Sequence, residues 1–309
     1  FEDFRTDFIG EKGAFDFLAE YGIGVLDNAT VRTVGTVVRR SDTDGDQVGD
    51  FYRLHDLDKE QKEYGFLTAA YTADETHESD RIKRHYQVPI SEFAKIPGGP
   101  ISYWVPESVR ELFASEYALD SERGNVDKRS AGKAKVGMQT GYDAQFARQF
   151  WEVSDFERWV PYAKGGTDAW VIPQVDEVLL WPDEGREVRR FEGSYMRNDQ
   201  FYFSEALVFN RIKETGRRFG YLSEHSVFSD TGMVYIPDRG IWKMLGYANS
   251  ELMNYLMTSL TIGRHWNVGE VGRVPWPTQL ESVAEIEAEA KRQYRTMLNL
   301  RSVDPNSPY

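Results

Sequence analysis

The sequence predicts a mixed α/β chain in two parts, and three observations carry that reading. β-branched and apolar runs at Val31 to Val38, Asp50 to Leu54 and Val178 to Trp181 have strand composition. Apolar residues recur at helical spacing over Ile241 to Leu260 (Leu245, Leu252, Leu256, Leu260) and over Gln279 to Leu300 (Val283, Ile286, Ala290, Tyr294, Leu298). Between the parts lies Ile96-Pro97-Gly98-Gly99-Pro100, which can continue neither a helix nor a central strand, and it places the joint between residues 1–95 and 96–309.

Phe4 to Tyr21 carries Phe4, Phe8, Ala14, Phe15, Leu18 and Ala19 at mostly helical spacing, with Gly22 as its stop, and predicts a helix. The strands at Val31 to Val38 and Asp50 to Leu54 then read as a hairpin. Its tip, Asp42 to Asp50, alternates carboxylates around Gly45 in the manner of a calcium loop, but it lacks a bidentate Glu and occurs once. An Asp-rich surface turn explains it as well. Thr72 to Arg84 is a charged surface segment, Ser102 to Glu116 a short helix carrying Tyr103, Trp104, Val109, Leu112 and Phe113, and Asp120 to Lys133 a polar loop.

Lys135 to Val153 is the stretch around which the second part is arranged. It predicts a strand, a turn bracketed by Gly137 and Gly141, and a helix with Phe146, Phe150 and Trp151 on one face. That order sets turn amides at a helix N-terminus, with Gln139, Thr140, Gly141, Tyr142 and Gln145 aimed at a partner such as a phosphate or a base edge. The plain alternative is a glycine-shaped loop over a packed aromatic helix.

Further on, Lys164-Gly165-Gly166 joins a point charge to amides that can approach a phosphate, or forms an ordinary turn with a solvated lysine. Arg186, Arg189 and Arg190 form one basic cluster, and Arg211, Lys213, Arg217 and Arg218 a second. In Arg197 to Phe209 the side chains Arg197, Gln200 and Tyr202 suit base contacts, with Phe201 and Phe203 directed inward. Ser226 to Ile236 reads as two strands about a turn at Asp230-Thr231-Gly232. Arg264, His265, Trp266 and Asn267 lie in the loop after the leucine-rich helix, where Arg264 and His265 are candidates to reach an outside partner; the histidines have no metal-ligand spacing.

The turn and helix of the central stretch resemble the GLxTGxxxxFxRxWxEV element of PglX-type adenine-specific DNA methyltransferases from BREX phage-defence systems. The matching residues are Gly137, Thr140, Gly141, Phe146, Arg148, Trp151, Glu152 and Val153. Three further stretches resemble the same family in the same order: Ile96 to Ile101 with Tyr103-Trp104-Val105, then Pro161 to Gly166, then Asn249-Ser250 through Pro277. The resemblance implies the C-terminal portion of a Rossmann-like methyltransferase sheet in residues 1–95 and a mixed α/β target-recognition domain with a C-terminal helix in 96–309. It also implies double-stranded DNA as partner, other BREX defence proteins as possible partners, and a cytoplasmic location. S-adenosylmethionine would serve the parent enzyme, while this segment shows neither its glycine loop nor a catalytic clamp and is expected to be inactive alone. Asn306-Ser307-Pro308-Tyr309 departs from that clamp at Ser307 and reads as a tail.

Composition bounds these readings. The 309 residues contain no cysteine, which excludes disulfides and thiolate metal sites, and no apolar run of membrane-spanning length. The opening at Phe1 without methionine points to a fragment or a processed chain. A net charge of −13 and a pI near 5.0 by themselves argue against nucleic acid. Acid-rich loops, and Arg outnumbering Lys roughly two to one, suggest a salt-adapted host. At about 1 M salt the screening length falls to about 3 Å, so distant carboxylates would not repel a duplex. Two other classes stay open at this stage: a protein-interaction scaffold within a defence complex, and a carbohydrate-active hydrolase, for which no carboxylate pair stands out.

Overall fold

Phe15, Phe17 and Leu18 lie in a strand, β1 (Gly13–Gly22), and not in the helix their spacing suggests. The pairing register shifts between Phe15 and Phe17, as at a β-bulge. Phe15 and Leu18, three positions apart, therefore join one core while Phe17 and Ala19 join the core on the other face. A bulged central strand buried on both faces imitates helical periodicity.

A computed structural model describes residues 4–5, 13–27, 29–40, 47–71, 83–165, 170–212, 218–261 and 265–303, in two compact units, Phe1–Ala114 and Ser115–Tyr309. The first unit holds a four-stranded sheet in the order β2-β1-β3-β4, with β2 at Thr33–Arg40, β3 at Val48–Arg53 and β4 at His85–Pro89. β1 runs antiparallel to β2 and parallel to β3. The expected hairpin is thus opened by β1, which, like its neighbour β3, places apolar side chains on both faces of the sheet. One face packs on the helix Lys62–Tyr71 through Phe17, Tyr52 and Phe66. The other meets Phe93, Tyr103 and Trp104. Phe51 stacks on Tyr103 at 5.1 Å, so the segment after Ile96 belongs to this unit and the division falls at Ala114/Ser115, not at 95/96. Prolines and glycines bend the chain at 97–100 without separating domains.

The second unit contains two four-stranded sheets. One has the order β13-β9-β10-β8, with β8 at Ala147–Gln149, β9 at Trp159–Ala163, β10 at Glu177–Leu180 and β13 at Val227–Phe228. The other has the order β12-β11-β14-β7, with β7 at Gly132–Lys135, β11 at Ala206–Asn210, β12 at Phe219–Leu222 and β14 at Gly232–Pro237. A short pair, β5 (Tyr117–Ala118) and β6 (Arg129–Ser130), stands apart. The main core draws on both large sheets: Ala147, Tyr162 and Leu179 from the first, and Val208, Leu222 and Val234 from the second. Every residue of β11 is buried, since its alternate residues Leu207 and Phe209 point away from that core. β13 and β14, expected as a hairpin about Asp230 to Gly232, belong to different sheets, and the turn carries the chain from one to the other.

The leucine-rich segment is two helices, Ile241–Ala248 and Glu251–Leu260. Asn249 breaks it by turning its amide onto the backbone N–H and C=O of Phe219, at 3.2 and 2.9 Å. Ser250 then caps the second helix by accepting from the Met253 N–H. The C-terminal helix, Ala284–Arg301, lies where its spacing predicts. Among the described residues no helix is long and apolar enough to cross a membrane.

Candidate nucleic-acid interface

The chain between Val136 and Gln145 crosses between the two sheets, and its backbone is clamped along the way. Gly137 and Met138 donate to the carbonyls of Ser229 and Phe228, Asp230 donates to Met138, and Gln139 exchanges both backbone hydrogen bonds with Tyr195 at 3.0 and 2.9 Å. A Cβ on Gly137 would lie 1.9 Å from the Phe228 carbonyl oxygen, and one on Gly141 2.2 Å from Gly193. These glycines admit the backbone of Phe228 and Gly193 at distances no side chain would allow. The predicted helix is one turn, Asp143–Phe146, after which Ala147 to Gln149 pair with β10. Sheet pairing overrides the aromatic spacing: Phe146 is buried, whereas Trp151 is 60% exposed.

Gln139 is exposed, and its Nε2 donates to Asp230 Oδ2 at 2.7 Å. Tyr142 and Gln145 are also exposed, with the Tyr142 ring roughly parallel to Phe191 at 6.5 Å. Thr140 is buried and donates to Asp143, so its hydroxyl serves the turn. Gly141 supplies a positive φ of 73°.

The Lys164 ammonium sits between Asp143 Oδ2 at 2.7 Å and Glu177 Oε2 at 3.2 Å. Burial by itself would lower the lysine's pKa, but the two carboxylates outweigh it and hold it above its ordinary value. Burial would likewise raise the Asp143 carboxyl, and its bonds from Lys164 and Thr140 hold it below instead. The Gly165 N–H donates to Thr231 Oγ1, and a Cβ there would meet the Thr231 carbonyl oxygen at 2.1 Å. The Lys164 ammonium and the Gly165 N–H are thus engaged within the fold. Lys164→Ala is expected to cost about 1–2 kcal/mol in urea denaturation at neutral pH, Asp143 being half exposed. The folded pKa of Asp143 is depressed, so the pair stabilises above about pH 4, the ordinary carboxyl value being 3.8, and that contribution is lost as pH falls. The variant and parent should therefore converge in acid; equal urea midpoints at pH 7 would contradict the pairing.

Arg197 and Gln200 are exposed. Tyr202 is not: it is 6% exposed, its ring packs edge-on against Trp181 and Phe228, and its hydroxyl donates to the Arg197 carbonyl. Tyr202 and Phe203 are thus exchanged relative to the sequence reading, Phe203 taking a φ of +58° and turning out to 40% exposure, while Phe201 packs against the core and Gln200 faces outward. Strand alternation does not apply before β11 begins at Ala206. His265 is exposed and bridges Ile212, but Trp266 beside it is buried beneath Arg218, and Asn267 caps a helix. Arg186 and Arg189 pair with Asp183 and Asp199.

Gly166, Arg264, Lys213, Arg217, residues 72–82, the tail 306–309 and Asp42 to Asp46 of the calcium-like loop lie outside the described residues. Asp50 binds His85 and Gln87. Among the described residues no group of three or more His, Asp or Glu is placed to hold a metal ion. Sequence reasoning missed Tyr195 and Asp230, which flank Gln139 on the surface; Tyr195 stands two residues before Arg197, a spacing that could have marked it.

No family profile matches the chain. It is 25% identical over 274 residues to the adenine-specific methyltransferase PglX of Lacticaseibacillus casei (strain Zhang), a match covering 81% of this chain and 21% of that protein. The chain is similar to the PglX-type adenine-specific methyltransferases over most of its own length. The BrxX enzyme of Escherichia coli (strain HS), also an adenine-specific methyltransferase, is 24% identical over 272 residues, covering 84% of this chain and 20% of its own length. The chain therefore spans about a fifth of the length of these PglX and BrxX relatives. Among solved structures, the type IIL restriction-modification enzyme MmeI in complex with DNA aligns over 96% of this chain and 39% of its own, at 12% identity and a TM-score of 0.46. The type IIG restriction endonuclease BpuSI aligns over 95% and 40%, at 11% identity and a TM-score of 0.45.

Proposed function

We propose that this chain is the DNA target-recognition portion of an S-adenosylmethionine-dependent adenine-N6 methyltransferase of a phage-defence system. Residues 1–114 would close the methyltransferase sheet, and Ser115 onward would read the duplex in the cytoplasm. Similarity to adenine-specific methyltransferases supports that reaction class for the parent enzyme. The observation that carries the reading role is the held amide of Gln139. A carboxylate only accepts, so the atom facing Asp230 Oδ2 must be the NH₂ group. Gln139 then has its Oε1 and second N–H for an outside partner, an acceptor and donor pair that matches N6 and N7 of adenine in the major groove.

The support is local geometry and not overall charge. With a net charge of −13, binding depends on base edges more than on counterion release. Gln139→Ala is expected to relax preference at one position of the bound site by roughly 5- to 150-fold while other positions hold, since a bidentate pair contributes about 1–3 kcal/mol. Fluorescence anisotropy against duplex libraries across a salt series measures this. Equal weakening on every sequence would remove the base-reading role from Gln139, and no binding to any duplex would remove the proposal and favour a scaffold. The methyl donor is assigned to parts of such an enzyme other than these residues, so adding S-adenosylmethionine to the same titration should leave the curves unchanged.

A further inference from the structure

We infer that Arg197, laid on the ring of Tyr195, reads a guanine in the target duplex, with Tyr195 as the residue that positions it. The inference rests on the target-recognition reading above and adds a base and a residue to it. Tyr195 and Gln139 exchange both backbone hydrogen bonds, so they are directly opposed in an antiparallel pair and their side chains leave from the same face. Arg197 follows two residues later, and its guanidinium carbon lies 4.4 Å from the centre of the Tyr195 ring. Tyr195 is 54% exposed and Arg197 is exposed, so the stack faces solvent beside the held amide of Gln139.

The base of the arm is fixed on both sides. The buried Tyr202 hydroxyl donates to the Arg197 carbonyl at 2.9 Å, and Asn198 donates its side-chain amide to the Val136 carbonyl at 2.9 Å. A free arginine loses much rotamer freedom on binding; one stacked and anchored in this way has lost part of it already.

Charge partners separate Arg197 from its neighbours. Arg186 pairs with Asp183, Arg189 with Asp199, and Lys164 with Asp143 and Glu177. Among the described residues Arg197 makes no ion pair, and its side chain rests on the Tyr195 ring. Stacking occupies one face of the guanidinium and leaves the N–H donors in its plane, where a parallel pair fits O6 and N7 of guanine. A phosphate accepts the same donors, but a phosphate contact carries no sequence preference. Placement on the face that presents Gln139 favours the base edge.

The test is selection from a randomised duplex library with the 309-residue chain, followed by anisotropy on the selected sites. The parent chain is expected to select guanine at one position. Arg197→Ala and Tyr195→Ala should lose discrimination there by roughly 5- to 150-fold, with other positions unchanged. Tyr195→Phe should restore it, because the ring suffices, and Arg197→Lys should not, because an ammonium lacks the planar fork. Retained guanine preference in Arg197→Ala would overturn the inference, as would equal weakening on all sequences, the mark of a phosphate contact. So would equal discrimination by Tyr195→Ala and the parent. If the parent chain binds no duplex, or binds all alike, the target-recognition reading itself fails; a loss confined to the variants' specificity leaves it standing.

Discussion

Gly137→Ala should lower the melting temperature of the second unit by roughly 6–12 °C, the consequence of about 3 kcal/mol or more of overpacking. The new methyl group would lie 1.9 Å from the Phe228 carbonyl oxygen and 2.6 Å from the Phe228 ring. Neither neighbour can retreat easily. Phe228 is buried in the core shared by the two sheets, and the Gly137 N–H is bonded to the Ser229 carbonyl. The cost is steric, since Gly137 is not among the glycines at positive φ. Gly269→Ala supplies the comparison: its Cβ would meet only the Arg123 carbonyl oxygen, at 3.5 Å, and it lies within the helix Val268–Arg273, so a neutral or slightly stabilising effect is expected. Calorimetry of the two variants measures the difference, and equal melting temperatures would refute the packing argument. Gly137 precedes Gln139 by two residues, so displacing the crossing would also move the Gln139–Tyr195 pair on which base reading depends.

Phe51→Ala should destabilise the first unit by about 3–5 kcal/mol, the usual cost of removing a buried phenyl ring. Phe51 is fully buried, stacks on Tyr103 at 5.1 Å, and meets Phe93 and Phe15 edge-on at 5.4 and 6.1 Å. Two of these partners come from outside the sheet, so the substitution loosens the segment that covers it. Limited proteolysis should show cleavage within residues 1–114 at lower protease concentration than in the parent, with the second unit still protected. In the parent, the protected first fragment should end near Ala114, not near Lys95. A variant with the parent's urea midpoint would show that Phe51 does not hold this core together.

The exposed polar residues of the candidate interface are partly readable from the sequence. Gln139, Tyr142, Gln145, Arg197 and Gln200 were singled out by type and spacing, and all five are exposed. Thr140, Lys164, Gly165 and Tyr202 had the same polar or basic character, yet the fold uses them internally. Side-chain chemistry shows what a residue can bind; it does not show whether a neighbour 20 or 90 positions away has already engaged it. Asp230 is 91 residues from Gln139, which is why no local pattern announces their bond.

The sequence by itself determined the mixed α/β class, the C-terminal helix, the strand composition of β2, β3 and β10, and the similarity to adenine-specific methyltransferases. Each depends on composition and on spacing over a few turns, and such signals survive without tertiary contacts. Only the tertiary structure decided that β1 is a strand between β2 and β3, that the stretch after Phe146 is sheet, and that Asn249 divides one apolar run into two helices. In each case a partner remote in the chain completes the backbone hydrogen bonds or the second buried face, and that partner outweighs a local preference of less than about 1 kcal/mol per residue.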